Sequence, residues 1–173
     1  MLRASRRSPS DVVSADRAFF LSIRALADAY ATHRLSPVEV TTAVLRRIER
    51  LNPSLNAFAQ VTSERALGEA RAAEQEIMRG RARGLLHGVP VAAKDLFQVR
   101  GTVTTAGSLI YGGRRANTDA TAVARLEQAG AVLVGTTHLH ELALGVTGVN
   151  PHFGPSRNPW DLDRMSGGSS GCE

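Results

Sequence analysis

GLLHGVPVAAKDLF, residues 84–97, divides the sequence into two regimes. Before it, apolar residues recur at helical spacing; from it onward they come in short runs bounded by glycine and proline, the pattern of buried strands. The stretch also carries Lys94. Of the 21 lysines and arginines in the chain, Lys94 is the sole lysine and the other 20 are arginine. An arginine stays protonated in any protein setting, whereas a lysine enclosed by apolar groups sheds its proton more readily and can then work as a base. Val89, Val91, Ala92 and Ala93 precede Lys94 and Leu96 and Phe97 follow it, so the sequence predicts such an enclosure. A single lysine can also survive by chance, and this stretch alone does not decide between the two.

The second informative stretch is SGGSSG, residues 166–171. Its glycines reach backbone angles closed to other residues, and its serines offer hydroxyls that donate hydrogen bonds or relay protons. A flexible linker has the same composition, so in isolation this run is ambiguous as well.

Together the two stretches resemble the amidase signature family. GLLHGVPVAAKD is similar to that family's lysine motif and SGGSSG to the start of its glycine- and serine-rich signature. TVTTAGS at 102–108, DATAVARLEQAGAVLVGTT at 119–137 and FGPSRNPWD at 153–161 are similar to the segments between them, in the same order. The resemblance covers residues 22–171. It implies an α/β fold, a mixed β-sheet sandwiched by helices, of which this chain holds the N-terminal part.

The resemblance also implies a chemistry. In the family a serine nucleophile attacks an amide carbonyl and passes its proton through a second serine, which follows a cis peptide bond, to a lysine. Lys94 matches that lysine and Ser169 the relay serine, while Gly167, Gly168 and Ser170 match residues that shape the loop. The nucleophile belongs to a further glycine-rich motif beyond Glu173, together with the backbone amides that form the oxyanion hole. The expectation is therefore an N-terminal fragment, inactive alone, with an incomplete sheet. Cys172 stands where the family has another glycine, which raises a frameshift, a premature stop or a partial gene as the origin of such an ending. Substrates in the family are small-molecule amides, from carboxamides to fatty amides and the glutamine used by tRNA-dependent amidotransferases, whose A subunit works with partner subunits. No cofactor or metal is implied.

Composition narrows the remaining classes. With 173 residues and 43% hydrophobic content the chain has room for one domain with a core. The lone Cys172 excludes an internal disulfide and fits a reducing, cytoplasmic setting. No apolar run approaches the length of a membrane span. The net charge of +5 invites nucleic acid, but most arginines alternate with glutamates on helical stretches and only 5% of residues are aromatic, so no direct nucleic-acid contact is expected. RGRARG, residues 79–84, reads as a solvated connector.

Three regions follow. Residues 1–21 read as a disordered basic tail. Residues 22–80 read as a preface of three amphipathic helices: one over 22–33, one opened by Ser36-Pro37-Val38-Glu39 as a capping box and closed by Pro53, and one over 63–79 with Ala66, Ala70, Ala73 and Ile77 inward. Residues 81–173 read as the start of the catalytic core, with a buried strand over 89–93, a helix over 119–129 capped by Asp119, and a buried strand over 131–135. Strand, helix, strand predicts a parallel crossover.

Two other chemistries have partial signatures. Gly167-Gly168-Ser169-Ser170-Gly171 fits the G-x-S-x-G elbow of α/β-hydrolases, but the acid and histidine of that machinery follow the motif, and after it the sequence has only Cys172 and Glu173. His138 and His140 alternate like paired metal ligands, but with only three other histidines in the chain, capping or packing near Glu141 is the reading adopted.

Overall fold

The computed structural model describes residues 15–170. Its helices are α1 (Ile23–Ala31), α2 (Pro37–Leu55), α3 (Ser63–Met78) and α4 (Thr121–Gln128); its strands are β1 (Phe58–Val61), β2 (Pro90–Lys94), β3 (Val132–Thr137), β4 (Arg157–Asn158) and β5 (Asp161–Met165). Residues 1–14 of the expected tail lie outside the described residues. Ala15–Phe20, also assigned to the tail, form a 3-10 helix whose Ala18 is buried in the first core cluster.

Two of the three helices of this region open on a serine cap; the half of the expected capping box in which Glu39 reaches back is not among the hydrogen bonds of the described residues, and Thr62 before α3 makes no side-chain cap bond. Ser22 accepts the Ala25 N–H to start α1, and Ser36 accepts from Val38 and Glu39 to start α2, with Pro37 at the first helical position. Pro53 does not close α2, which runs two residues further. Proline removes only the bond to the carbonyl of exposed Glu49, and the last turn is held by Ser54 Oγ donating to Leu51 O and by Asn56 N–H donating to Asn52 O. In α3 all four predicted inward residues, Ala66, Ala70, Ala73 and Ile77, are buried. The small alanines let α3 pack closely on α2 and on β3, where Ala66 and Ala70 join Ile48, Val132 and Val134 in one cluster.

The main sheet has the order β1-β3-β2. β2 and β3 are parallel, joined through α4 as predicted; β1, antiparallel to β3, is an addition to the predicted elements. Four residues between two helices leave too short a pattern to register, yet β1 ties the helical region into the sheet. β3 is buried throughout. β2, predicted as a buried strand, is an edge strand among the described residues and only Ala93 of it is buried, because no neighbour covers its outer side. Asp119 does not cap α4 either: the cap is Ala120 without a side-chain bond, and Asp119 Oδ1 instead accepts from Arg100 N–H at 2.8 Å and Arg65 Nη1 at 3.3 Å. The RGRARG connector is anchored, since Arg83 forms a two-point pair with Glu76 and its N–H donates to buried His87 Nδ1 at 3.0 Å. No helix among the described residues is long and apolar enough to cross a membrane.

Candidate active site

β2 ends on Lys94, at the carboxyl edge of the parallel pair, where it faces Thr137 at the end of β3. The chain then leaves β3 through His138 and Leu139, and Leu139 pairs with Ser170 in an isolated antiparallel bridge. The two stretches singled out from the sequence meet here. Lys94 Nζ lies 2.6 Å from Ser169 Oγ, and the Gly168–Ser169 peptide bond is cis. Both side chains are half-buried. The apolar enclosure predicted around Lys94 is only partial: Val89 and Ala93 are buried, but Leu96 and Phe97 are 45% and 41% exposed, since the chain turns away from the sheet immediately after Asp95.

The glycines shape the loop by proximity. A Cβ on Gly168 would stand 2.6 Å from Gly148 N, a contact with backbone that no side-chain rotation relieves, and Gly167 has a φ of +94°. The loop thus lies flat against residues 146–148. Ser169 O accepts the His140 N–H at 2.9 Å, which fastens it from the other side.

Asp95 is the strongest feature that the sequence did not mark. It follows Lys94 directly and is wholly buried. Its Oδ2 accepts both the Thr105 N–H at 3.0 Å and the Thr105 hydroxyl at 2.6 Å, while Oδ1 and the Thr136 hydroxyl have no full hydrogen bond among the described residues. Burial raises the Asp95 carboxyl above its ordinary value, opposed by the two Thr105 bonds and more weakly by the nearby Thr136 hydroxyl.

His138 and His140 have separate partners. His138 packs by the Phe153 ring with centroids 6.0 Å apart, His140 Nδ1 lies 3.3 Å from Thr147 Oγ1, and no group of three metal-ligating side chains occurs among the described residues. The nearby Ser108 hydroxyl and His152 Nε2, the latter at 3.0 Å, hold the Glu141 carboxyl below the usual value.

A base-capable amine against a serine hydroxyl can move a proton to and from a third group placed beside the hydroxyl. Known proteins share the sequence and the fold that carry this arrangement. The family model described as Amidase matches residues 39–173. The chain is 47% identical over 150 residues to the A subunit of the glutamyl-tRNA(Gln) amidotransferase of Cupriavidus necator, a match covering 87% of this chain and 30% of that protein. Among solved structures it is similar to a chain of a vestigial protein complex that bears on the origins of an s-triazine catabolic enzyme (TM-score 0.84, 40% identity, 87% of this chain and 33% of that one). It is also similar to the peptide amidase of Stenotrophomonas maltophilia (TM-score 0.80, 35% identity, 87% and 32%). The chain spans about a third of the length of these relatives.

Proposed function

The chain belongs to the amidase family, and from that premise we propose that Lys94 and Ser169 serve as base and proton relay in the cleavage of a carboxamide C–N bond. A serine nucleophile, expected from a segment outside these 173 residues, attacks the amide carbonyl. Its proton passes to Ser169 Oγ as the Ser169 proton passes to Lys94 Nζ, and the return of that proton to the nitrogen lets the amine leave. Water then releases the acid from the ester so formed. Gly167, Gly168 and Ser170 shape the loop that presents Ser169. The single observation that carries this reading is the 2.6 Å contact between the only lysine of the chain and Ser169.

A second reading concerns the setting of the same chemistry. The identity to the A subunit of the amidotransferase, 47%, exceeds that to the peptide amidase, 35%, which favours a polypeptide that works with amidotransferase partners on a small-molecule amide in the cytoplasm. A chimera tests the reading: residues 1–171 of this chain replace the corresponding stretch of the Cupriavidus necator relative, and release of ammonia from glutamine and from a simple carboxamide is measured. Activity that survives Ser169→Ala at near the parental rate would sink the relay assignment.

A further inference from the structure

Asn150 lies in the loop before β4 and is 3% exposed, and none of its side-chain hydrogen bonds goes to Lys94 or Ser169. All of its polar capacity is used. Nδ2 donates to Gly107 O at 2.7 Å and to Leu139 O at 3.1 Å, and Oδ1 accepts the N–H groups of His152 at 2.9 Å and Phe153 at 3.0 Å. Two carbonyls on one side and two N–H groups on the other leave the amide one orientation.

One donor arm leads to the backbone carbonyl of Ser169 and the other to Asp95, the residue after Lys94. Leu139 C=O and His140 N–H are opposite ends of one planar peptide group, so a bond that fixes the carbonyl also fixes the direction of the N–H. That N–H donates to Ser169 O at 2.9 Å. On the other arm, Gly107 N–H donates to Thr105 Oγ1 at 3.0 Å, and Thr105 is held twice by Asp95, the residue after Lys94. A Cβ on Gly107 would stand 2.7 Å from Asn150 Nδ2, so the approach requires glycine there.

We propose that Asn150 is a positioning residue whose two amide hydrogens tie the Lys94 side of the site to the Ser169 side and thereby set their approach. The inference rests on the reading of Lys94 and Ser169 as a working pair. The pair closes a ring of hydrogen bonds running through Asp95, Thr105, Gly107, Asn150, the Leu139–His140 peptide and Ser169. With the amide in place the ring is closed; without its donors the two halves keep the β2–β3 pairing at Lys94 and Thr137, the Asp95 N–H bond to Thr137 O at 3.0 Å and the Leu142 N–H bond to Ala106 O at 2.8 Å, but the Leu139–His140 peptide that holds Ser169 loses its side-chain anchor.

The sole lysine makes a direct test practical on the full 173-residue chain. Labelling with carbon-13 lysine gives one side-chain signal, that of Lys94, and Ser169→Ala calibrates how far the signal moves when the contact is lost. Asn150→Asp keeps the acceptor bonds to His152 and Phe153 but removes both donors. It should move the Lys94 signal in the direction of Ser169→Ala and speed exchange of the His140 amide by about tenfold or more. Asn56→Asp is the control. It adds the same charge and removes donor bonds to Phe153 O and Pro155 O in the same loop, and should leave both readouts at parental values. Should Asn150→Asp fail to fold, Thr105→Val cuts the ring nearer Lys94 and should move the Lys94 signal while the His140 amide stays protected. An unmoved Lys94 signal in Asn150→Asp, or in Thr105→Val where that variant takes its place, overturns the inference. If Ser169→Ala itself leaves the signal unmoved, the pair fails and the proposed function with it; if only Asn150→Asp does, the positioning role alone fails.

Discussion

Lys94 Nζ and Ser169 Oγ meet at 2.6 Å although 75 residues separate them in the chain. Lys94 closes an edge strand and Ser169 sits on a loop held by the peptide between Leu139 and His140. Their contact therefore depends on the end of β3 being where both can reach it.

In the active chimera, Lys94→Ala should lower amide turnover by about two to four powers of ten, the usual worth of a general base. Lys94→Arg should be nearly as damaging, because a permanent cation cannot take the relay proton. Steady-state turnover of a simple carboxamide measures both. Near-parental activity in Lys94→Arg would show that the solitary lysine is an accident of composition.

On the proposed roles of Lys94 and Ser169, the 173-residue chain by itself should give no measurable amide hydrolysis, since groups that act as a unit lose almost all of their combined effect when one is missing. Ammonia release above the buffer rate, abolished by Ser169→Ala, would instead make Ser169 the nucleophile.

Asp95→Asn should stabilise the fold near pH 7.5 by about 1 kcal/mol, because the amide keeps an acceptor for Thr105 and offers a donor to the Thr136 hydroxyl. The pH trend has a definite sign. The folded value of Asp95 lies above its ordinary 3.8, so its contribution is most favourable below 3.8 and is lost as pH rises through the folded value. The advantage of Asn should thus shrink toward acid pH. Urea midpoints of parent and variant at pH 7.5 and 4.5 check this, and a gain that grows on acidification contradicts it.

Buried His87 and half-buried His138 give the opposite slope. Burial lowers His87 and His138 below the ordinary 6.5, with Glu76 partly opposing the shift at His87. Their contribution is full above 6.5 and is lost as pH falls through the depressed folded values. The melting temperature should drop between pH 7.5 and 5, and His87→Gln should flatten that drop. An equal drop in the variant removes His87 as its cause.

Gly168→Ala should cost about 1–3 kcal/mol, since its Cβ meets the Gly148 backbone at 2.6 Å and one of the two loops must shift. In the chimera it should also lower turnover by displacing Ser169. Unchanged urea midpoint and turnover would show that the loop yields freely.

Much of this protein is legible along the chain. The helical phases of α2 and α3, the Ser36 cap, the buried run of β3 and the parallel crossover all rest on contacts between residues a few positions apart or on regular apolar spacing, and such patterns are written locally. The lysine and the glycine-serine loop stand out by composition. What the sequence could not supply is the set of contacts that join distant segments. β1 is four residues whose partner begins 74 positions later, so only its pairing with β3 makes it a strand. Asp119 has the composition of a cap, but Arg65 and Arg100 claim its carboxylate once the helices pack. The hydrophobic neighbours of Lys94 promised an enclosure, and an edge position with a turn after Asp95 left it half open. Asn150 carries the local signal of a turn, its Oδ1 taking the N–H groups of His152 and Phe153, but its amide hydrogens reach back 43 and 11 residues and their meaning lies in which carbonyls the fold brings to them. Short-range periodicity decides which residues form elements; only packing brings distant polar groups within hydrogen-bond reach, and the geometry of this site is made of such bonds.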